Sequence, residues 1–162
     1  GMDKEGFSGR DGRTTIFDYW SVDTMCRADE GNLTEDEKKL ADIYSKLMNF
    51  ARTDKTVTGL SYDLMYANPH SASFNPDRQY AFLRRSGRQL LVVVVNFDNL
   101  DRDILLNIPE HAFEYLKLSD GKDIMGEEIL TGESFAACLS SKQPLSIHVP
   151  KYGAAIIKIN KA

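Results

Sequence analysis

Leu90-Leu91-Val92-Val93-Val94-Val95-Asn96-Phe97 constrains the fold more than any other stretch of the chain. A short apolar run this rich in β-branched residues reads as a strand covered on both faces. A strand with one wet face would alternate with polar residues, and this one does not alternate until Asn96. Tyr80-Ala81-Phe82-Leu83-Arg84-Arg85 reads as a second strand, joined to the first through Ser86-Gly87, a tight-turn signal. Asp98-Asn99-Leu100-Asp101 leads into a third candidate, Asp103 to Pro109. The expectation is a three-stranded antiparallel meander with its most apolar strand in the middle.

The rest of the chain decides what could cover that strand. Residues 1–32 carry scattered glycines and charges with no periodic pattern and are expected to be irregular; Gly1 before Met2 reads as a residue left by tag removal. Residues 33–54 read as a helix. Thr34 and Glu37 have capping-box spacing, and Glu35, Asp36 and Glu37 suit the positive end of the helix dipole. Leu40, Ile43, Tyr44, Leu47, Met48, Phe50 and Ala51 fall within about 160° of arc at ~100° per residue. That wide apolar face needs a large partner surface.

Residues 55–162 read as β. Thr56-Val57-Thr58 and Tyr62 to Tyr66 are short extended candidates, and His111 to Tyr115 fits one helical turn after Pro109. Strands are expected at Glu127–Leu130, Ser134–Leu139, Ser146–Val149 and Ala154–Ile159. The fold class is mainly β: an antiparallel sandwich of about seven to eight strands, preceded by one long amphipathic helix and an irregular segment.

Several function classes drop out. A net charge of −4 gives no basic footprint, so nucleic acid is not an expected partner. No apolar run approaches the ~20 residues of a membrane span. Cys26 and Cys138 are expected to remain thiols, because a chain of 162 residues needs no staple. His70, His111 and His148 lie in separate segments without metal-ligand spacing, so no metal or cofactor is expected. Gly132-Glu133-Ser134-Phe135-Ala136 lacks the last glycine of a nucleophile elbow and its strand-turn-helix setting. The acidic turns at 98–103 and 120–123 lack calcium-loop spacing, and no two carboxylates are fixed across a sugar-sized gap. No catalytic set emerges.

Phe17, Tyr19 and Trp20 form an aromatic cluster with the only Trp of the chain. Flat rings of this kind pack against the apolar faces of sugars, so these three are the candidate carbohydrate contact. The competing reading is that they cover a core.

The order of elements resembles the C-terminal end of alpha-amylase family glycoside hydrolases. The resemblance rests on the capped helix and Thr56-Val57-Thr58-Gly59. It continues through Tyr80-Ala81-Phe82-Leu83-Arg84-Arg85, Leu91 to Phe97 and Pro150-Lys151-Tyr152-Gly153 with the closing Ala154 to Ile159. It runs from about Met2 to Lys158. It implies that residues 1–32 are a barrel-loop remnant, 33–54 the last barrel helix, and 55–162 the C-terminal sandwich of the glycosyl hydrolase type. The family's catalytic Asp, Glu and Asp would precede Met2, so none is placed on this sequence. The implied role is a non-catalytic accessory domain of an enzyme of alpha-glucan metabolism. Its partner would be the catalytic barrel, with weak glycan contact through the loop at residues 11–20. The helix face would drive self-association when the barrel is absent. The alternative is an autonomous carbohydrate-binding module with a platform among Tyr62, Tyr66, Phe74 and Tyr80. No targeting segment is visible and the compartment is unassigned, export of the parent being compatible with these residues.

Overall fold

The computed structural model describes residues 23–160. The chain divides into two units, one ending at Met48 and one running from Asn49, with the boundary inside a helix.

In the first unit, α1 (Asp23–Asp29) precedes α2 (Glu35–Thr53). The helix at α1 corrects the reading of residues 1–32 as wholly irregular. Its end is a Schellman stop: Asn32 N–H bonds Arg27 O at 2.7 Å, Gly31 N–H bonds Ala28 O at 3.2 Å, and Gly31 sits at φ +73°. Its side chains meet the cap of the next helix. Thr34 N–H donates to Glu37 Oε2 at 2.9 Å, and Glu37 N–H to Thr34 Oγ1 at 3.3 Å, so the capping box is formed. The same carboxylate accepts from Thr24 Oγ1 at 2.9 Å and from the Arg27 guanidinium. That Arg27 pairing, with the Thr34 amide bond second, holds the Glu37 carboxyl well below the usual carboxylate range. α2 therefore forms as the capping pattern and the 3.6-residue period require. It buries none of its residues: Leu40, Ile43, Tyr44 and Met48 are 49%, 42%, 62% and 69% exposed.

The second unit is an antiparallel sandwich. A six-stranded sheet runs β1 (Leu60–Asp63), β2 (Gln79–Ser86), β3 (Gln89–Asn96), β8 (Gly153–Ile159), β5 (Gly121–Glu128), β6 (Ser134–Leu139). Opposite it lies the pair β4 (Arg102–Leu106) and β7 (Leu145–Val149). The helix α3 (Glu110–Leu116) follows β4, with Ala112, Phe113 and Leu116 buried. β2 and β3 form the hairpin expected from Ser86-Gly87, with Leu83 opposite Val92 and Ala81 opposite Val94. β3 meets β8 on its other side, Val92 opposite Ile157. Leu83, Leu90, Val92, Val94, Ile157 and Ile159 point into one core with Ile104, Leu106 and Ile147 of the small sheet.

The expected meander does not form. The third candidate strand crosses to the second sheet, and the reason is the Asn96 side chain, which is fully buried. Its amide donates to Leu100 O at 2.9 Å and Pro150 O at 3.1 Å. Its carbonyl accepts from Gln79 Nε2 at 2.9 Å and from Asp98 N–H at 3.0 Å. This satisfies the whole amide and turns the chain away from β3 before a hairpin can close. Asp98 completes the corner. Its carboxylate, 4% exposed as a residue, takes Arg102 Nε at 3.0 Å and lies 3.5 Å from Arg78 Nη1. The Arg102 hydrogen bonds hold this carboxyl below its ordinary range against the opposing push of burial.

β3 is buried on both faces, as its composition demands. Leu91 and Val93 on the outer face are 4% and 7% exposed. A 3-10 turn, Lys55–Thr58, packs beside β2 and β3 on that side. The sequence suggested an extended segment here. The turn forms instead because the Asp54 carboxylate accepts from Thr56 N–H at 2.9 Å. Burial pushes that carboxyl up, but hydrogen bonds from Lys158 of β8 and from Thr56 outweigh it and leave it lowered. Gly59 is needed below the turn, since a Cβ there would strike the Arg85 carbonyl at 2.1 Å. β1 likewise stops at Asp63, whose carboxylate accepts from Met65 N–H at 2.7 Å and starts a second 3-10 turn, Met65–Ala67. Cys26 and Cys138 are both thiols. Among the described residues, no helix is long and apolar enough to cross a membrane, which says nothing of strands.

Candidate functional site

β1 is an edge strand of the six-stranded sheet, and α3 lies next to it. Along an α-helix, residues four apart share a face. His111 and Tyr115 are therefore neighbours on an exposed side of α3, apart from its buried Ala112, Phe113 and Leu116. Across from them, the period of β1 turns Tyr62 inward, and the 3-10 turn begun at Asp63 brings Tyr66 back over it.

The four rings meet. Tyr62, 8% exposed, is the floor. Its ring centroid lies 6.3 Å from Tyr66, 5.6 Å from His111 and 5.8 Å from Tyr115, all tilted. The Tyr62 hydroxyl bonds Tyr66 Oη at 2.5 Å and His111 Nδ1 at 2.8 Å. Burial pushes the Tyr62 phenol well above its usual range, and the Tyr66 hydroxyl adds to the shift, so this group stays protonated at neutral pH. Tyr66 and Tyr115 are 65% and 47% exposed and stand as walls. With Ser61 and Asp63 they enclose an open pocket of about 540 Å³.

The chemistry this arrangement offers is contact. It presents flat apolar faces, hydroxyls, an imidazole and one carboxylate, and among the described residues no lysine or arginine lines it. Among the described residues, no three His, Cys, Asp or Glu side chains are grouped to hold a metal. A second cavity of about 410 Å³, between α3 and Ser141, is lined by Glu110, Glu114, Asp120 and Lys117 around the core residues Phe113 and Leu118. It mixes both charges and offers no exposed ring.

Phe17, Tyr19 and Trp20 lie outside the described residues. Of the proposed sandwich platform, Tyr62 and Tyr66 come together, whereas Phe74 is core at 2% exposure. Tyr80 pairs instead with Phe82 on the outer face of β2, with ring centroids 5.8 Å apart. His70 meets Asp77 at 3.2 Å and His148 meets Asp103 at 2.8 Å, each a separate surface pair. Ser134 is exposed on β6 with no helix after it. In the acidic turns, Asp98 is engaged with arginines, Asp101 accepts from Lys151 N–H at 2.8 Å, and Asp120 from Ser141 N–H at 2.9 Å. His111 and Tyr115 were missed as site residues. Their signal was four-residue spacing in a turn that starts at Pro109.

Residues 71–160 match the family described as "Alpha amylase, C-terminal all-beta domain". Among solved structures, an Anoxybacillus alpha-amylase aligns with a TM-score of 0.53 at 15% identity, over 77% of this chain and 23% of that one. AmyP, in a complex with maltose, aligns with a TM-score of 0.54 at 14% identity, over 93% and 24%. Alpha-galactosidase I from Mortierella vinacea gives 0.52 at 13% identity, over 81% and 30%. At these identities the likeness is one of fold. The chain covers 23% to 30% of the length of these three structures. No curated protein matches the sequence. The family match spans more than half of the chain and takes in the whole of β8, the strand that completes the sheet around β3, so the chain belongs to the alpha-amylase C-terminal all-beta domain family.

Proposed function

We propose that the chain is a non-catalytic accessory domain of an alpha-amylase-like glycosidase of alpha-glucan metabolism, and that it stabilises a catalytic barrel. The observation that carries this reading is the face of α2. Leu40, Ile43, Tyr44 and Met48 repeat at helical spacing, yet each is at least 42% exposed. A stripe of this kind on a soluble chain is covered by another surface. A barrel, whose helices are apolar on the inward side, supplies one. In the isolated chain, a second copy of α2 takes its place and gives a two-fold dimer.

The reading frame upstream of the codon for Met2 tests this directly. An in-frame barrel with a carboxylate set supports it, and a stop codon immediately upstream overturns it. The purified 162-residue chain is expected to hydrolyse no starch, maltooligosaccharide or aryl glucoside. Turnover that co-purifies with the chain through successive columns would show that it carries its own chemistry.

A further inference from the structure

We propose that the pocket at the edge of β1 is a glycan-contact site that takes one or two pyranose units of a neutral alpha-glucan. The choice of alpha-glucan rests on the proposed function; the choice of a sugar rests on the pocket itself. A pyranose ring has an apolar face of C–H groups and a rim of hydroxyls. It therefore needs a flat aromatic surface and polar groups set around its edge. Tyr66 and Tyr115 supply exposed rings on two sides. Tyr62 sits between them at 6.3 Å and 5.8 Å and is locked by hydrogen bonds to Tyr66 and His111. Locked rings lose little rotamer freedom on binding, which lowers the cost of association.

The rim supplies the rest. Asp63 is part of the lining, with its carboxylate held by Met65 N–H at 2.7 Å. His111 is bonded through Nδ1, leaving Nε2 for a further hydroxyl. Ser61 completes the lining. Other ligand classes fit less well. Phosphates and carboxylated ligands meet Asp63 and find no cation among the described residues of the lining. A quaternary ammonium needs an enclosed cage of rings, and here two of the three tyrosines stand open to solvent.

The site is small, so a Kd of about millimolar is expected. The test titrates the full chain with maltoheptaose, cellohexaose and choline, followed by NMR shifts and calorimetry. Maltoheptaose is expected to bind and to shift signals of Tyr62, Tyr66, His111 and Tyr115. Tyr66→Ala and Tyr115→Ala are each expected to weaken binding roughly tenfold, about 1.4 kcal/mol. Both residues are exposed, so the unfolding midpoint should hold. Tyr80→Ala, on the other face, should leave binding unchanged. The proposal is overturned if maltoheptaose gives no shifts at millimolar concentration, or if cellohexaose or choline binds as well. It is also overturned if Trp20→Ala abolishes binding while Tyr66→Ala preserves it. None of these outcomes bears on whether a barrel is encoded upstream, so this site and the accessory role fail separately.

Discussion

β3 and α2 are the two most strongly patterned segments of the chain, and the structure treats them oppositely. β3 spans eight residues, and every one from Leu90 to Val94 is buried. α2 spans nineteen and buries none. Both are apolar enough to demand cover. β3 receives it from β2, β8, the small sheet and the 3-10 turn at Lys55–Thr58. The difference separates apolar residues that the fold buries from apolar residues that it leaves exposed. An apolar pattern states a need for burial; it does not say where the partner comes from.

The sharpest way to break this comparison is at the core. Leu83 is fully buried opposite Val92, so Leu83→Ala is expected to cost about 3 kcal/mol, read as a lower urea midpoint. Ile43→Ala on α2 should cost under about 0.5 kcal/mol. Equal losses would mean that the helix face is already part of a core.

The second test uses acid. Asp98 and Asp54 have carboxyls held below their ordinary range in the folded chain. A lowered folded pKa adds stability above the unfolded carboxylate range, near pH 4, and that stability is lost as pH falls through the folded values. The urea midpoint should be flat above about pH 5 and fall steadily below it. Asp98→Asn is expected to lower the midpoint at neutral pH and to flatten the acid slope, because its Arg102 and Arg78 pairings go. An unchanged slope would assign the acid sensitivity elsewhere.

Smaller effects sharpen the helix side. Thr34→Ala removes one arm of the capping box and should cost α2 about 1 kcal/mol. The expected signature is lower ellipticity at 222 nm with an unchanged unfolding midpoint of the sandwich. Least of all on stability, Ile43→Glu should leave the midpoint alone and halve the mass seen by light scattering at micromolar concentration. A wild-type chain that is already monomeric would overturn self-association through this face.

What was legible in the sequence was local. The capping box of Thr34 and Glu37, the Ser86-Gly87 hairpin and the doubly buried run each declare themselves within a few residues, and each appears. What was not legible depends on distant partners. The departure of β4 from the meander is decided by Asn96, which joins Gln79, Leu100 and Pro150. α1 is only seven residues long, too short for a periodic signal, although Gly31 marked its end. The aromatic pocket shows both limits. Spacing could have grouped His111 with Tyr115, but nothing local joins them to Tyr62 and Tyr66.

The place of β8 in the sheet has a consequence for how the chain is made. This last strand lies in the middle of the sheet, between β3 and β5. During synthesis the β2–β3 hairpin leaves the ribosome long before its other neighbour exists. Until residues 153–159 arrive, Leu90 to Val95 present an apolar, unpaired edge of the kind that templates aggregation. Pairings this remote in sequence also form slowly. A nascent chain therefore carries this unpaired edge while residues 97–152 are made. A slow codon between residues 97 and 152, or a truncation before Gly153, is expected to send it to chaperones or inclusion bodies rather than to a smaller folded domain.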